Sequence, residues 1–248
     1  MLINVEKTVD EICEYVRDFF DKNGKGCSAV LGISGGKDSC ITAALLARAL
    51  GKERVVGVMM PDGVQPDISD SQAVVDFLGI RNLTVNIGEA TKALKKSLEE
   101  AGSAITKDVG INIPPRIRMT TLYAVAQGLE EGGRVINTCN KSEDYIGYST
   151  KYGDAAGDMS ILAGFTVEEV LQIGDFLGLP SNLVHKTPSD GLSGMSDEDK
   201  VGFTYAVLDN YIATGICEDE NTKAKIERMH VLNLHKLNVM PHFEPSER

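Results

Sequence analysis

Apolar residues fall at Val5, Val9, Ile12, Val16 and Phe19, a helical spacing, so the chain is expected to open with an α-helix. Asn23-Gly24-Lys25-Gly26 stops it, because paired glycines favour a turn. The pattern then changes. Residues 27–33 form a short apolar run that predicts a buried strand, and the Ala- and Leu-rich residues 39–50 predict a helix ended by Gly51. The same alternation continues with strands at 54–60 and 82–87, helices at 68–78 and 89–100, a long helix at 116–129 and a strand at 134–138. Strands apolar on both faces, alternating with helices, imply a parallel sheet covered on both sides. Right-handed crossovers then give a doubly wound α/β fold with helices on both faces, a three-layer α/β/α arrangement of Rossmann-like type. Helical segments at 167–177, 203–211 and 222–237, separated by glycine-rich loops, add a helical carboxy-terminal segment. No repeat divides the chain, so residues 1–248 are expected to form one domain.

Charge narrows the partners. A net charge of −11 argues against non-specific binding to nucleic acid or an anionic membrane, since both are polyanions. Small anionic ligands need only a local site and stay open. No run approaches the ~20 apolar residues of a membrane span. Cys13, Cys27, Cys40, Cys139 and Cys217 are odd in number and contain no CxxC pair, which suits a reducing cytoplasm. The amino terminus is acidic and amphipathic, unlike a signal peptide.

The chemistry starts at the first strand-to-helix junction, Gly32-Ile33-Ser34-Gly35-Gly36-Lys37-Asp38-Ser39. Glycines let backbone approach a ligand, the next helix offers free N–H groups, and Ser34 and Ser39 add hydroxyls. The segment reads as a phosphate cradle. It is not a Walker A loop: Gly32 is one residue too close to Gly36, and Asp38 follows Lys37 where a hydroxyl residue belongs. A carboxylate beside phosphates needs a cation between them, which assigns Asp38 to Mg²⁺. The plainer alternative is a glycine turn with an aspartate at a helix start.

A second cluster, Thr138-Cys139-Asn140-Lys141-Ser142-Glu143, follows the strand at 134–138. Loops after parallel strands gather at one edge of the sheet, so Glu143 and Asp38 suit one shared cation. The competing reading makes Asn140 or Ser142 a helix cap and Glu143 a first-turn acid. Cys139 has no histidine partner nearby in sequence and is expected to be a small packed residue.

Segment 34–39 resembles the pyrophosphate loop of the ATP pyrophosphatases. Four further blocks narrow the resemblance to the NAD synthetases: Asn112-Ile113-Pro114-Pro115-Arg116-Ile117-Arg118-Met119, Asn140 to Glu143 with Gly147 to Asp158, Lys186-Thr187-Pro188-Ser189-Asp190-Gly191, and His235-Lys236. The resemblance implies a ligase that amidates deamido-NAD to NAD with ammonia, through an acyl-adenylate, releasing AMP and pyrophosphate. It implies that Gly32 to Ser39, Thr138 and Ser189 contact ATP, and that Asp38 and Glu143 hold Mg²⁺. Arg116, Lys151, Asp154, His235 and Lys236 would contact deamido-NAD. It also implies a homodimer.

Two departures stand out. Many members carry a lysine after the threonine equivalent to Thr166, and here that place is Val167. Lys186, or Lys37 in the loop, is expected to supply the missing charge. Pro114 and Pro115 are expected to delay the following helix until Pro115 or Arg116. Asp154 is expected to position or deprotonate ammonia. If the reading holds, Lys37, Arg116, Lys151 and Lys186 gather where two phosphorylated substrates enter. The length leaves no room for a glutaminase domain, so ammonia is the expected donor. The nearest rival is another ATP pyrophosphatase acting on RNA or GMP synthesis, disfavoured by acidity and the TKYGD block; a non-catalytic nucleotide module is more distant.

Overall fold

A computed structural model describes residues 1–65, 68–186 and 197–245. Helix α1 (Val5–Asn23) is capped by Asn4, whose side chain accepts the Lys7 N–H, and it buries Val9, Ile12, Cys13, Val16 and Phe20. Strand β1 (Ser28–Gly32) leads into α2 (Lys37–Leu50), β2 (Val55–Met59) into α3 (Ile68–Leu78), and β3 (Arg81–Thr84) into α4 (Gly88–Glu100). Helix α5 (Lys107–Gly128) then precedes β4 (Gly133–Asn137), α6 (Lys141–Ile146) and the two-residue β5 (Met159–Ser160).

The sheet order is β3-β2-β1-β4-β5, and every pairing is parallel. Alternate residues serve opposite faces. Ala29 and Leu31, Val55 and Met59, and Ile136 enter a core beneath α1, α2 and α7 (Val167–Phe176). Val30, Val56, Val58 and Val135 enter a second core under α5. This is the expected three-layer arrangement, and each buried run is apolar because both its faces are covered.

Strand β3 departs from that rule. All four of its residues are exposed, because it is the sheet edge. After α8 (Ser181–Val184), helices α9 (Asp197–Val201), α10 (Tyr205–Thr214) and α11 (Glu220–Leu237) surround a third cluster of Ile146, Val167, Phe203, Tyr205, Leu208 and Ile226. That cluster shares α6 and α7 with the rest of the fold. All five cysteines are free. No helix among the described residues is long and apolar enough to cross a membrane.

The expected late start of α5 is corrected. The helix begins at Lys107, capped by Thr106, and runs through Pro114 and Pro115. Proline fixes φ near the helical value and costs a hydrogen bond rather than forbidding the turn. Ile113 and Pro114 are buried, and the Asn112 amide donates to Asp108 O at 2.8 Å. The burial of Ile113 and Pro114 offsets the missing donors.

Candidate active site

In the order β3-β2-β1-β4-β5, the connections from β1 and β4 lead to opposite halves of the sheet. Their carboxyl ends therefore open a crevice at the switch point, where ligands bind in such folds. Both sequence-derived loops reach it.

The loop after β1 is held by its own hydroxyls. Ser34 Oγ accepts the Gly36 N–H at 3.2 Å and lies 3.1 Å from Ser39 Oγ, which donates to Gly36 O at 3.0 Å. Gly35 has φ +78°, and a Cβ there would stand 2.8 Å from Asp70 Cβ and from Ser71 N. Only glycine lets the loop lie this close to α3. The first-turn N–H groups of α2 point toward the crevice end of the sheet and lack intrahelical acceptors.

A cavity of about 380 Å³ opens there, lined among others by Ile33, Ser34, Met60, Arg118, Thr138 and Asp154. This is the low end of ligand-pocket volumes, enough for one nucleoside-sized body. Arg118 donates from Nε to Met60 O at 3.1 Å. Burial lowers its pKa, but the carboxylates of Asp62 and Asp154 work the other way, and a guanidinium stays charged. Ser71 lines the same cavity, is 1% exposed, and its hydroxyl has no hydrogen-bond partner among the described residues.

Asp38 and Glu143 approach from the two loops. Asn140 joins them: it caps α6 in a reciprocal box with Glu143, and its Nδ2 donates to Asp38 Oδ1 at 3.0 Å. The cap reading and the shared-site reading are therefore realised together. Burial raises the Glu143 carboxyl well above the usual range; the Asp38 charge adds to this and Lys37 opposes it. Lys37 is 5% exposed and donates to Asp38 Oδ2 at 2.7 Å. Among the described residues no three Asp, Glu, His or Cys side chains are placed to share a metal. Two carboxylates alone fit an Mg²⁺ whose remaining ligands are phosphate oxygens and water.

The deamido-NAD candidates collect around residues 147–154. Arg116 Nε donates to Lys151 O at 3.3 Å, and Lys151 Nζ donates to His235 O at 2.7 Å. Lys236 Nζ donates to Gly147 O and Ser149 O at 2.7 and 2.9 Å. Both lysines thus clamp the loop with their ammonium groups. Asp154 Oδ1 accepts the Thr150 N–H at 2.9 Å. The protein wall behind this otherwise exposed residue raises its carboxyl, partly offset by that bond and by Lys236.

Lys186 pairs with Asp70, the residue against which Gly35 packs. Lys37 and Lys186 thus border the phosphate loop, and Arg116 and Lys151 border the other loop. None of the four is in the cavity lining, where Arg118 is the cation among the described residues. Ser189 lies outside the described residues. Cys139 is buried, burial pushes its thiol well up, and its Sγ contacts Asp154 O at 3.4 Å, a packing role.

Three residues carried no assignment from the sequence: Arg118, Ser71 and Asp209. Asn140 was expected only as a helix cap; its second role, the bond to Asp38, depends on the tertiary fold. Asp209 on α10 accepts from Ser142 Oγ and, at 3.1 Å, from Glu168 N, so it joins the starts of α6 and α7 across 67 residues of sequence.

A family model described as NAD synthase matches residues 8–244. An NH(3)-dependent NAD(+) synthetase from Pyrococcus furiosus is 38% identical over 211 residues, 85% of this chain and 78% of that protein. Among solved structures, an NMN synthetase from Francisella tularensis is similar at TM-score 0.88 and 28% identity, covering 99% of this chain and 100% of that one. An NH3-dependent NAD synthetase from Campylobacter jejuni is similar at TM-score 0.79 and 26% identity, over 98% and 100% of the two chains.

Proposed function

The chain belongs to the NAD synthase family, and on that premise we propose that it amidates deamido-NAD to NAD with ammonia, consuming ATP. The observation that carries this reading is the meeting of two loops at one crevice. The phosphate loop brings Asp38, and the loop after β4 brings Thr138 and Glu143, next to the cavity that Asp154 also lines.

The substrate supplies the nucleophile. A carboxylate oxygen of deamido-NAD attacks the α-phosphorus of ATP, the bond to the bridging oxygen breaks, and pyrophosphate leaves with the electron pair. Ammonia then attacks the acyl carbon, AMP leaves, and a proton is lost. Backbone N–H groups and hydroxyls of residues 34–39 hold the leaving phosphates, and Thr138 contacts the nucleotide. Mg²⁺ held by Asp38 and Glu143 would neutralise the phosphate charge. Arg116, Lys151, His235 and Lys236 shape the deamido-NAD side, and Ser189 is assigned to ATP. A homodimer, a single domain and a reducing cytoplasmic setting belong to the same reading.

Purified protein with ATP, Mg²⁺ and deamido-NAD is expected to form NAD, AMP and pyrophosphate with ammonium and not with glutamine. Equal rates with glutamine would overturn the assignment of the donor. A second reading follows from the F. tularensis NMN synthetase, whose TM-score of 0.88 exceeds the 0.79 of the C. jejuni enzyme. Nicotinic acid mononucleotide replacing deamido-NAD in that assay, compared by kcat/KM, decides between the two substrates.

Two residues should separate the half-reactions. Lys186→Ala is expected to slow pyrophosphate release at least tenfold, because a cation beside the phosphate loop is lost. Asp154→Asn is expected to leave pyrophosphate release near normal and slow amide formation by about 10²-fold, the low end for a general base. Full turnover of Asp154→Asn at saturating ammonium would remove the base role. Near-normal pyrophosphate release by Lys186→Ala would refute Lys186 as that cation.

A further inference from the structure

Lys37 is a buried charge within the phosphate loop. Its side chain is 5% exposed, its ammonium lies 2.7 Å from Asp38 Oδ2, and it stands 5.8 Å from the centre of the Tyr205 ring. Burial alone would favour the neutral amine, but Asp38 and Glu143, then Asp197, outweigh it and hold the group charged. The other Asp38 oxygen is taken by Asn140 Nδ2 at 3.0 Å. Both oxygens of a carboxylate assigned to the metal are therefore already engaged, one by a full positive charge.

We infer that Lys37 is an internal counterion standing where the divalent cation binds, so the cation enters only with a polyphosphate that takes the ammonium over. The inference rests on the reading of Asp38 and Glu143 as the metal carboxylates. A divalent ion and a buried ammonium on the same carboxylate repel each other strongly at this range. Without a nucleotide, the ammonium stays on Asp38, held also by the charges of Glu143 and Asp197, and the ion is excluded. With phosphates on the 34–39 loop, the ammonium is one residue from Gly36 and can turn from Asp38 to a phosphate oxygen. The carboxylate is then released to the ion as the ammonium neutralises the leaving group.

The position explains how the chain tolerates Val167. Val167 belongs to the same buried cluster as Tyr205, the ring over which Lys37 lies. The Val167 N–H is bonded to Ser142 Oγ at 3.1 Å, and Asp209 takes the next N–H. The start of α7 thus offers no side-chain cation, and Lys37 brings one to this region from the start of α2.

Mn²⁺ binding followed by electron paramagnetic resonance tests this without turnover. Nucleotide-free wild-type protein is expected to bind Mn²⁺ weakly, and protein with a non-hydrolysable ATP analogue to bind it tightly. Lys37→Gln should raise the affinity of nucleotide-free protein for Mn²⁺ at least tenfold, and should weaken binding of the analogue in EDTA. Lys37→Arg, which keeps the charge, should show no such gain in Mn²⁺ affinity without nucleotide. Asp38→Asn added to Lys37→Gln should remove the gain, locating it at this site. Tight Mn²⁺ binding by nucleotide-free wild type would overturn the inference even if no variant folds, and so would a folded Lys37→Gln with no gain. If neither wild type nor variants bind Mn²⁺ with the analogue present, the metal reading of Asp38 and Glu143 fails instead.

Discussion

Asp38→Asn is expected to lower pyrophosphate release from ATP by about 10³-fold, the upper end for removing one preorganised electrostatic group. Two losses combine. The carboxylate that offsets the charge of a metal-bound triphosphate becomes neutral, and Lys37 is left buried with its closest anion gone. A buried ammonium without its partner is costly and turns to whatever oxygen it can reach. Asparagine keeps the shape and one acceptor, so the Asn140 bond and the start of α6 survive. Single-turnover measurement of pyrophosphate, with a thermal melt to check the fold, reads the result. A rate within tenfold of wild type would remove Asp38 from the metal.

Gly147→Val is expected to show the largest stability effect. Gly147 ends α6 at φ +63°, and a Cβ there would fall 2.1 Å from Asn233 Cβ on α11. A left-handed β-branched residue costs about 1–2 kcal/mol before any clash. Moving α11 also loosens the Lys236 bonds to Gly147 O and Ser149 O. A total near 3 kcal/mol lies in the range of severe single substitutions. For a chain of this size it lowers Tm by about 6–12 °C. The KM for deamido-NAD should rise as well, because the same helix clamps the substrate-side loop. A melting point within 2 °C of wild type would contradict the close packing.

Periodicity carried most of the sheet because β1, β2 and β4 are covered on both faces and read as plain apolar runs. β3 was legible as a strand only through Leu83, Val85 and Ile87, and the ladder instead takes Arg81–Thr84. An edge strand has one unpaired side, so its residues answer to solvent and the apolar pattern blurs. β5 is two residues long, too short for any period. Pro114 and Pro115 read as a boundary because local rules cannot include the burial that carries α5 past them. The phosphate loop was legible because its chemistry is local. Asp209 was not, since its carboxylate acts on Ser142 and Glu168 from α10. A single buried acid gives no spacing to detect.

The clamp on residues 147–154 has a consequence for the order in which the site comes into being. Lys151 bonds His235, and Lys236 bonds Gly147 and Ser149, across 84 to 89 residues of sequence. During synthesis the amino-terminal strands emerge before α10 and α11 are made. The phosphate loop can therefore begin to assemble from β1, α2 and β4 while the other side still lacks its fasteners. Such long-range closures are slow. The nascent protein thus acquires a place for a nucleotide before it acquires a fixed place for the acid to be activated, and competence for the complete reaction arrives only with α11.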